Sequence, residues 1–243
     1  MKRYEPIMSF GEDEAKEYLG VLRGDEEAAV DFLAQLAGEG TALELAIGAG
    51  RIALLLARRG VRVEGIDISQ AMVDQLRLQE GGMDLPVRIG NFADVDVKGS
   101  YQLIYVVWNT LFNLLTQDEQ VRCFQNVAAH LTADGAFVVE ALTPNFLFRL
   151  QESQYVQAEA VEVDHVRLDL LRHDAAAQTI EESHVTLSSA GIRLNPVVQR
   201  YAWPSELDLM GRLAGLRLIG RWGGWNKEPF TSSSSLHVSV YGR

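Results

Sequence analysis

The residues best placed to do chemistry lie in the run Leu43-Glu44-Leu45-Ala46-Ile47-Gly48-Ala49-Gly50-Arg51. An apolar strand pattern gives way there to glycines and then to a helical pattern. A backbone without Cβ in such a turn lets a bound nucleotide approach closely. Gly48, Gly50 and Ala53 satisfy G-x-G-x-x-A, and Asp67 ends the next apolar run, so a dinucleotide is one reading of the site. Glu44 speaks against it. A dinucleotide fold continues its first strand with apolar residues, and a carboxylate buried at that point is costly unless it has partners. An ordered set follows: Gly65-Ile66-Asp67-Ile68-Ser69, then Asn91-Phe92 after the third strand, then Trp108-Asn109 after the fourth. That set is far more specific than the glycines alone.

These residues need elements to position them. From about 41 to 142 short apolar runs alternate with amphipathic stretches, the pattern of a parallel sheet with crossover helices. The strands read as 41–46, 61–66, 86–90, 101–107 and 136–141, with helical spacing over 50–59 and 69–79. Thr116 and Glu119 form a capping box for a helix running to Leu131, and Gly135 punctuates the way into the fifth strand. Over 155–203 the helices disappear and long alternating runs remain, which reads as an antiparallel insertion. Pro204 and Ser205 start a helix that Gly215 can end, and strands at 216–222 and 236–241 flank a loop rich in Gly, Trp and Ser. The first 40 residues read as two acidic amphipathic helices broken near Gly20 and Gly24.

Composition bounds the function. A chain of 243 residues supports one domain with an insertion. Its 47% hydrophobic and 23% charged residues are those of an ordinary globular protein. A net charge of −11 without a dense basic cluster argues against nucleic acid. No apolar run is long enough to span a bilayer, and the acidic stretch from Glu12 to Glu14 falls where a signal peptide needs apolar residues. A cytoplasmic protein is expected. With Cys123 as its one cysteine, the chain has no intramolecular disulfide and no cysteine-rich metal site.

Taken together, Leu43 to Gly50, Gly65 to Met72, Gly90-Asn91-Phe92, and Asn109 to Leu115 leading into Leu131 to Glu140 resemble the class I methyltransferases that use S-adenosylmethionine (SAM). The resemblance covers most of the chain. It is nearest in pattern to the small-molecule enzymes of bacterial natural-product pathways, including amino-sugar N-methyltransferases. It implies an α/β fold with a seven-stranded Rossmann-like sheet of order 3-2-1-4-5-7-6, the last strand antiparallel, and an antiparallel β lid. Residues 1–40 would be lid helices, 41–142 the SAM-binding core, 143–203 the lid insertion and 204–243 the rest of the core sheet. By that resemblance Asp67 holds the ribose hydroxyls, Ile68 and Met72 border the adenine, Asn91 and Phe92 meet its amino edge and face, and Gly48 passes under the methionine portion. Glu44, Val107 and Trp108 complete the cofactor set, and S-adenosylhomocysteine is the product. Ala46 departs from the family's first glycine and Asn91 from its commoner aspartate. Tyr18-Leu19-Gly20 and Arg23-Gly24-Asp25 resemble the lid helix of the amino-sugar enzymes, with Arg23 on the cofactor carboxylate.

The acceptor is expected outside the carboxyl ends of the strands, under the lid. His165, Arg167 and Asp169 share one strand face there, and Glu182, His184 and Thr186 share the next. A solvent-facing surface is the ordinary reading of such residues. Glu182 and His184 stand out because a methyl acceptor often must lose a proton, and Tyr18 joins them as a candidate catalytic group. Asn109, His165 and Trp225 are expected on the acceptor. Trp203, Trp222 and Trp225 otherwise read as core packing, Asp94 and Asp96 as surface acids rather than a metal site, and Cys123 as a small buried hydrophobe. The fourth strand lacks the Asn-Pro-Pro-Tyr pattern of base-modifying enzymes, which favours a small-molecule acceptor. A monomer or homodimer with no nucleic-acid or membrane partner is expected. A nicotinamide-dependent oxidoreductase and a non-catalytic SAM-fold subunit are the alternatives.

Overall fold

The computed structural model describes residues 4, 9–18, 23–94, 96–150 and 153–243, the side chains of Asp13, Glu17, Tyr18 and Arg149 excepted. Its centre is a seven-stranded sheet. The strands are β1 (Thr41–Leu45), β2 (Arg62–Asp67), β3 (Val87–Ile89), β4 (Tyr101–Val106), β5 (Leu131–Leu142), β10 (Arg217–Trp222) and β11 (Leu236–Gly242). They lie in the order β10-β11-β5-β4-β1-β2-β3. β11 runs antiparallel to both β5 and β10, while β1 to β5 pair in parallel. This is the order expected from the resemblance. The antiparallel β11 sets the sheet apart from a dinucleotide fold.

The central strands are buried on both faces, which explains their unbroken apolar runs. In β4, Ile104 and Val106 enter one core layer, and Leu103 and Tyr105 enter the other. The first layer is closed by α5 (Gln117–His130) and α6 (Pro204–Leu213), through Phe124, Val127, Leu207 and Met210. The second is closed by α2 (Glu26–Ala37) and α3 (Ala53–Arg58), with Leu76 of α4 (Gln70–Arg77). α2 therefore belongs to the core layer rather than to a lid, because Val30, Phe32 and Leu33 bury its apolar face. α1 (Glu12–Tyr18) packs instead on α4, where Ala15 meets Met72.

Local signals set most boundaries. α5 begins at a complete capping box, with the Thr116 hydroxyl accepting from the Glu119 N–H and the Glu119 carboxylate accepting from the Thr116 N–H. Pro204 starts α6 at the position where its missing N–H costs nothing. β5 begins at Leu131 rather than after Gly135. Leu131 pairs with Tyr101 before the register jumps to Ala136 with Leu103, and Gly135 sits within that irregularity.

Between β5 and α6, β6 (Gln154–Val161), β7 (His165–Asp174), β8 (Thr179–Ser188) and β9 (Gly191–Arg200) form a separate antiparallel sheet in sequential order. Its base is sewn to the core by Leu171, Ile180 and Tyr201. No described helix is long and apolar enough to cross a membrane.

Candidate functional site

The carboxyl ends of β1, β2 and β4 open into a cavity of about 910 Å³ that the lid sheet covers. Its floor is the turn after β1. Gly48 and Gly50 have φ of 56° and 82°, and a Cβ on Gly50 would lie 2.3 Å from Leu76 Cδ1. Ala46 adopts φ 57° at the point where the family pattern has glycine. Trp108 and Asn109 follow β4 with φ of 56° and 62°. Positive φ is uncommon for residues with a Cβ, and such backbone concentrates at binding sites. All three line the cavity.

Asp67 joins the first two strands to the site. Its Oδ2 accepts from the Gly48 N–H at 2.7 Å and its Oδ1 from the Ser69 N–H at 2.8 Å. Each oxygen keeps a lone pair for a further donor, as a ribose diol requires. Burial pushes the Asp67 carboxyl up, and these N–H groups oppose that. Ile68, Met72, Asn91 and Phe92 line the same side. The Asn91 side-chain oxygen already accepts from the Ala93 N–H at 2.9 Å, so an adenine amine would meet its second lone pair.

Glu44 is buried beneath the loop and lines the cavity. Burial pushes its carboxyl up to about 8, Asp67 adds to the rise, and the Tyr105 hydroxyl and Arg51 hold it back. Tyr105 donates to Glu44 Oε2 at 3.0 Å. The glycine cradle, the paired acceptors of Asp67 and the acid at Glu44 fit the cationic, ribose-bearing cofactor implied by the sequence.

Arg51, like Arg58, lines the cavity. It pairs with Glu26 at 2.9 Å and lies 4.2 Å from the Trp108 ring centre, within cation–π range. Burial raises the Glu26 carboxyl, but the N–H groups of Arg23, Glu26 and Gly24 together with Arg51 outweigh it and bring it down to about 2. Arg23 lies 5.4 Å from the Trp108 ring centre, paired with Glu140 at 2.7 Å and Asp25 at 3.1 Å, and is not among the residues that line the cavity. Two carboxylates hold its guanidinium.

The other wall comes from the lid and from the turn before α5. Glu182 and His184 line it together with Val197, Gln199, Asn113 and Glu119. Val107, Trp108 and Asn109 border the space between that wall and the floor. The Asn109 side-chain oxygen accepts from the Leu142 N–H, tying the ends of β4 and β5 together.

Two expected acceptor residues lie elsewhere. His165 is at the far end of β7, paired with exposed Asp164, four residues along the strand from Asp169. Trp225 is buried in the core against Phe32, with ring centroids 5.6 Å apart. Trp222 packs on the same Phe32 and Trp203 stacks on Phe148. Asp94 and Asp96 pair with Arg122 and Arg88 at the surface, and Cys123 is buried. Tyr18 ends α1, and its side chain lies outside the described residues.

Comparison with known proteins agrees with this geometry. Residues 42–135 match the family model for a methyltransferase domain. The CcbJ methyltransferase from Streptomyces caelestis is 38% identical, with a TM-score of 0.90 over 96% of this chain and 97% of that one. A cypemycin N-terminal methyltransferase from a Streptomyces species is 26% identical over 205 residues, 84% of this chain and 83% of that protein. The amino pentose methyltransferase CalS10 from Micromonospora echinaspora, solved with SAM bound, shares the fold at 20% identity, with a TM-score of 0.67 over 99% of this chain and 98% of that one. With a 38% identical relative matched over nearly its whole length and the glycine cradle, Asp67 and antiparallel last strand in place, this chain belongs to the class I SAM-dependent methyltransferases.

Proposed function

We propose that the chain methylates an amine nitrogen of a small molecule held between the cofactor loop and the lid. The observation that carries this reading is the position of Glu182 and His184, which face from the lid into the cavity that Gly48 and Asp67 floor. SAM supplies a methyl carbon on a sulfonium: the acceptor's lone pair forms the new bond, and the carbon–sulfur pair stays on sulfur as S-adenosylhomocysteine leaves.

The protein's part is to bind, orient and manage a proton. In one cavity Asp67 would take the ribose hydroxyls of SAM, Ile68, Met72 and Phe92 would flank the adenine, Asn91 would meet its amine, and Glu44 and Arg51 would attend the charged methionine end. Val107, Trp108 and Asn109, which line the same cavity, would border the transferred methyl group. The lid and the 113–119 turn present carboxylates, an imidazole and amides. These groups hold the N–H bonds of an amine and offset the charge it carries. Burial pushes the Glu182 carboxyl up, His184 opposes this, and Asp169 and Glu159 add to it. The similar cypemycin N-terminal methyltransferase lends support to nitrogen as the acceptor atom. The bacterial relatives favour a role in natural-product biosynthesis.

Incubation with SAM and matched panels of amines, phenols and indoles tests the reading by product mass. Amines gaining one methyl group are the expected result. A gain confined to phenols or indoles would refute the choice of nitrogen.

A further inference from the structure

We infer that Asp169 is a positioning residue for the transfer: it fixes His184 in the tautomer whose bare nitrogen is available to the acceptor. This rests on the amine reading above. Asp169 and His184 are direct cross-strand partners in the β7–β8 ladder. Their side chains meet at 2.6 Å between His184 Nδ1 and Asp169 Oδ1. An ionised carboxylate only accepts hydrogen bonds, so Nδ1 carries the proton and Nε2 keeps its lone pair. His184 lines the cavity and Asp169 does not, so Asp169 acts through the imidazole.

The surrounding charges leave Asp169 to this task. β6 brings Glu159 and Tyr155 toward the pair, β7 brings Arg167 and β8 brings Glu182. Arg167 pairs with Glu159 at 3.3 Å, which answers that carboxylate. Opposite His184 on β9 stands Asn195, with Arg193 two residues along on the same face. The ligating atoms of Glu159, Asp169 and His184 all lie within 4.8 Å of one another, a grouping that invites comparison with a metal site. Ligands held tetrahedrally at about 2.0–2.1 Å sit more than ~3 Å apart, however. The 2.6 Å Asp169–His184 contact is closer than that and is a hydrogen bond.

The step balances as a proton transfer. An amine bound as its ammonium loses one N–H bond, Nε2–H forms, and the electron pair stays on the amine nitrogen as the nucleophile. The resulting imidazolium faces the Asp169 carboxylate, and its proton passes to water between turnovers. In the serine-protease triad, replacing the buried aspartate by asparagine leaves the geometry intact but selects the wrong imidazole tautomer. The same chemistry is available here.

The test uses the full chain with ¹⁵N-labelled histidine, and His184→Gln to assign the signal. NMR of the acceptor-free protein is expected to show His184 protonated at Nδ1 and bare at Nε2. Asp169→Asn should move the proton to Nε2. With an amine substrate, it should lower kcat about 100-fold, while SAM affinity stays unchanged and Asp169→Glu restores much of the rate. An Nε2–H tautomer in the parent would overturn the inference. So would a tautomer change that leaves kcat untouched, or activity that is lost with EDTA and restored by Zn²⁺. If the parent methylates only phenols or indoles while the tautomer is as expected, the amine reading fails and the Asp169 assignment stands.

Discussion

Arg23 and Glu140 are held 2.7 Å apart beside the Trp108 ring, one guanidinium against a carboxylate that is almost wholly buried. The contact is an ion pair without the alignment of a hydrogen bond at Oε1, while Glu140 Oε2 accepts from the Trp108 N–H at 2.8 Å. The segment before α2 is thereby tied to the end of β5 and to the strained turn after β4.

Removing the cation should leave a buried carboxylate without its counter-charge. Arg23→Ala is expected to cost up to about 3 kcal/mol of stability, a fall in Tm of about 2–4 °C for each kcal/mol. Arg51→Ala removes the partner of buried Glu26 and should also cost stability, but because Arg51 lines the cavity it should in addition lower SAM affinity. Thermal unfolding and calorimetry on both variants separate the two effects. Equal loss of SAM affinity in both would contradict the placement.

Asp67 should be indispensable for the cofactor. Each hydrogen bond to its carboxylate contributes about 1.5–3 kcal/mol, so losing both ribose contacts in Asp67→Ala should weaken SAM binding by roughly a hundred- to ten-thousandfold. Calorimetry showing parent affinity in a folded Asp67→Ala protein would remove the ribose assignment.

Glu44 should make SAM binding proton-linked. At neutral pH the folded apoprotein largely keeps the Glu44 proton, since its carboxyl sits at about 8. The positive charge of the methionine end favours the carboxylate, so binding should release a proton, and the binding enthalpy should vary with the ionisation enthalpy of the buffer. Folding raises this pKa above its ordinary 4.5. The associated stability is therefore complete below about pH 4.5 and is lost as the pH rises toward 8. Glu44→Gln should abolish both the buffer dependence and that part of the slope.

The departure at Ala46 carries a strain that glycine would relieve. A Cβ at φ 57° costs about 1–2 kcal/mol, of which glycine's looser unfolded chain returns about 0.4–1. Ala46→Gly should raise Tm by about 2–4 °C without weakening SAM binding. A lower Tm would show that the methyl group makes a compensating contact.

What the sequence made legible was what depends on neighbours along the chain. The glycine turn, Asp67 and the Thr116–Glu119 box are local devices, and each appears where its spacing puts it. The lid illustrates where that stops. Strand alternation correctly groups His165 with Asp169, and Glu182 with His184, but not how far along a strand the cavity lies. Four residues of strand, about 13 Å, separate His165 from Asp169, which reaches His184. Trp225 depended on α2, whose Phe32 comes from almost two hundred residues earlier. Arg51 acquires its setting from Glu26 and Trp108, and no pattern around residue 51 announces either.

The most direct test of the central claim is the fate of a ¹³C-labelled methyl group. SAM carrying the label, turned over with the amine panel and followed by NMR, should yield a labelled carbon bonded to nitrogen, at a rate that falls in Asp169→Asn and His184→Gln. A label found on oxygen or carbon, or one that never leaves sulfur with any amine offered, would contradict the account.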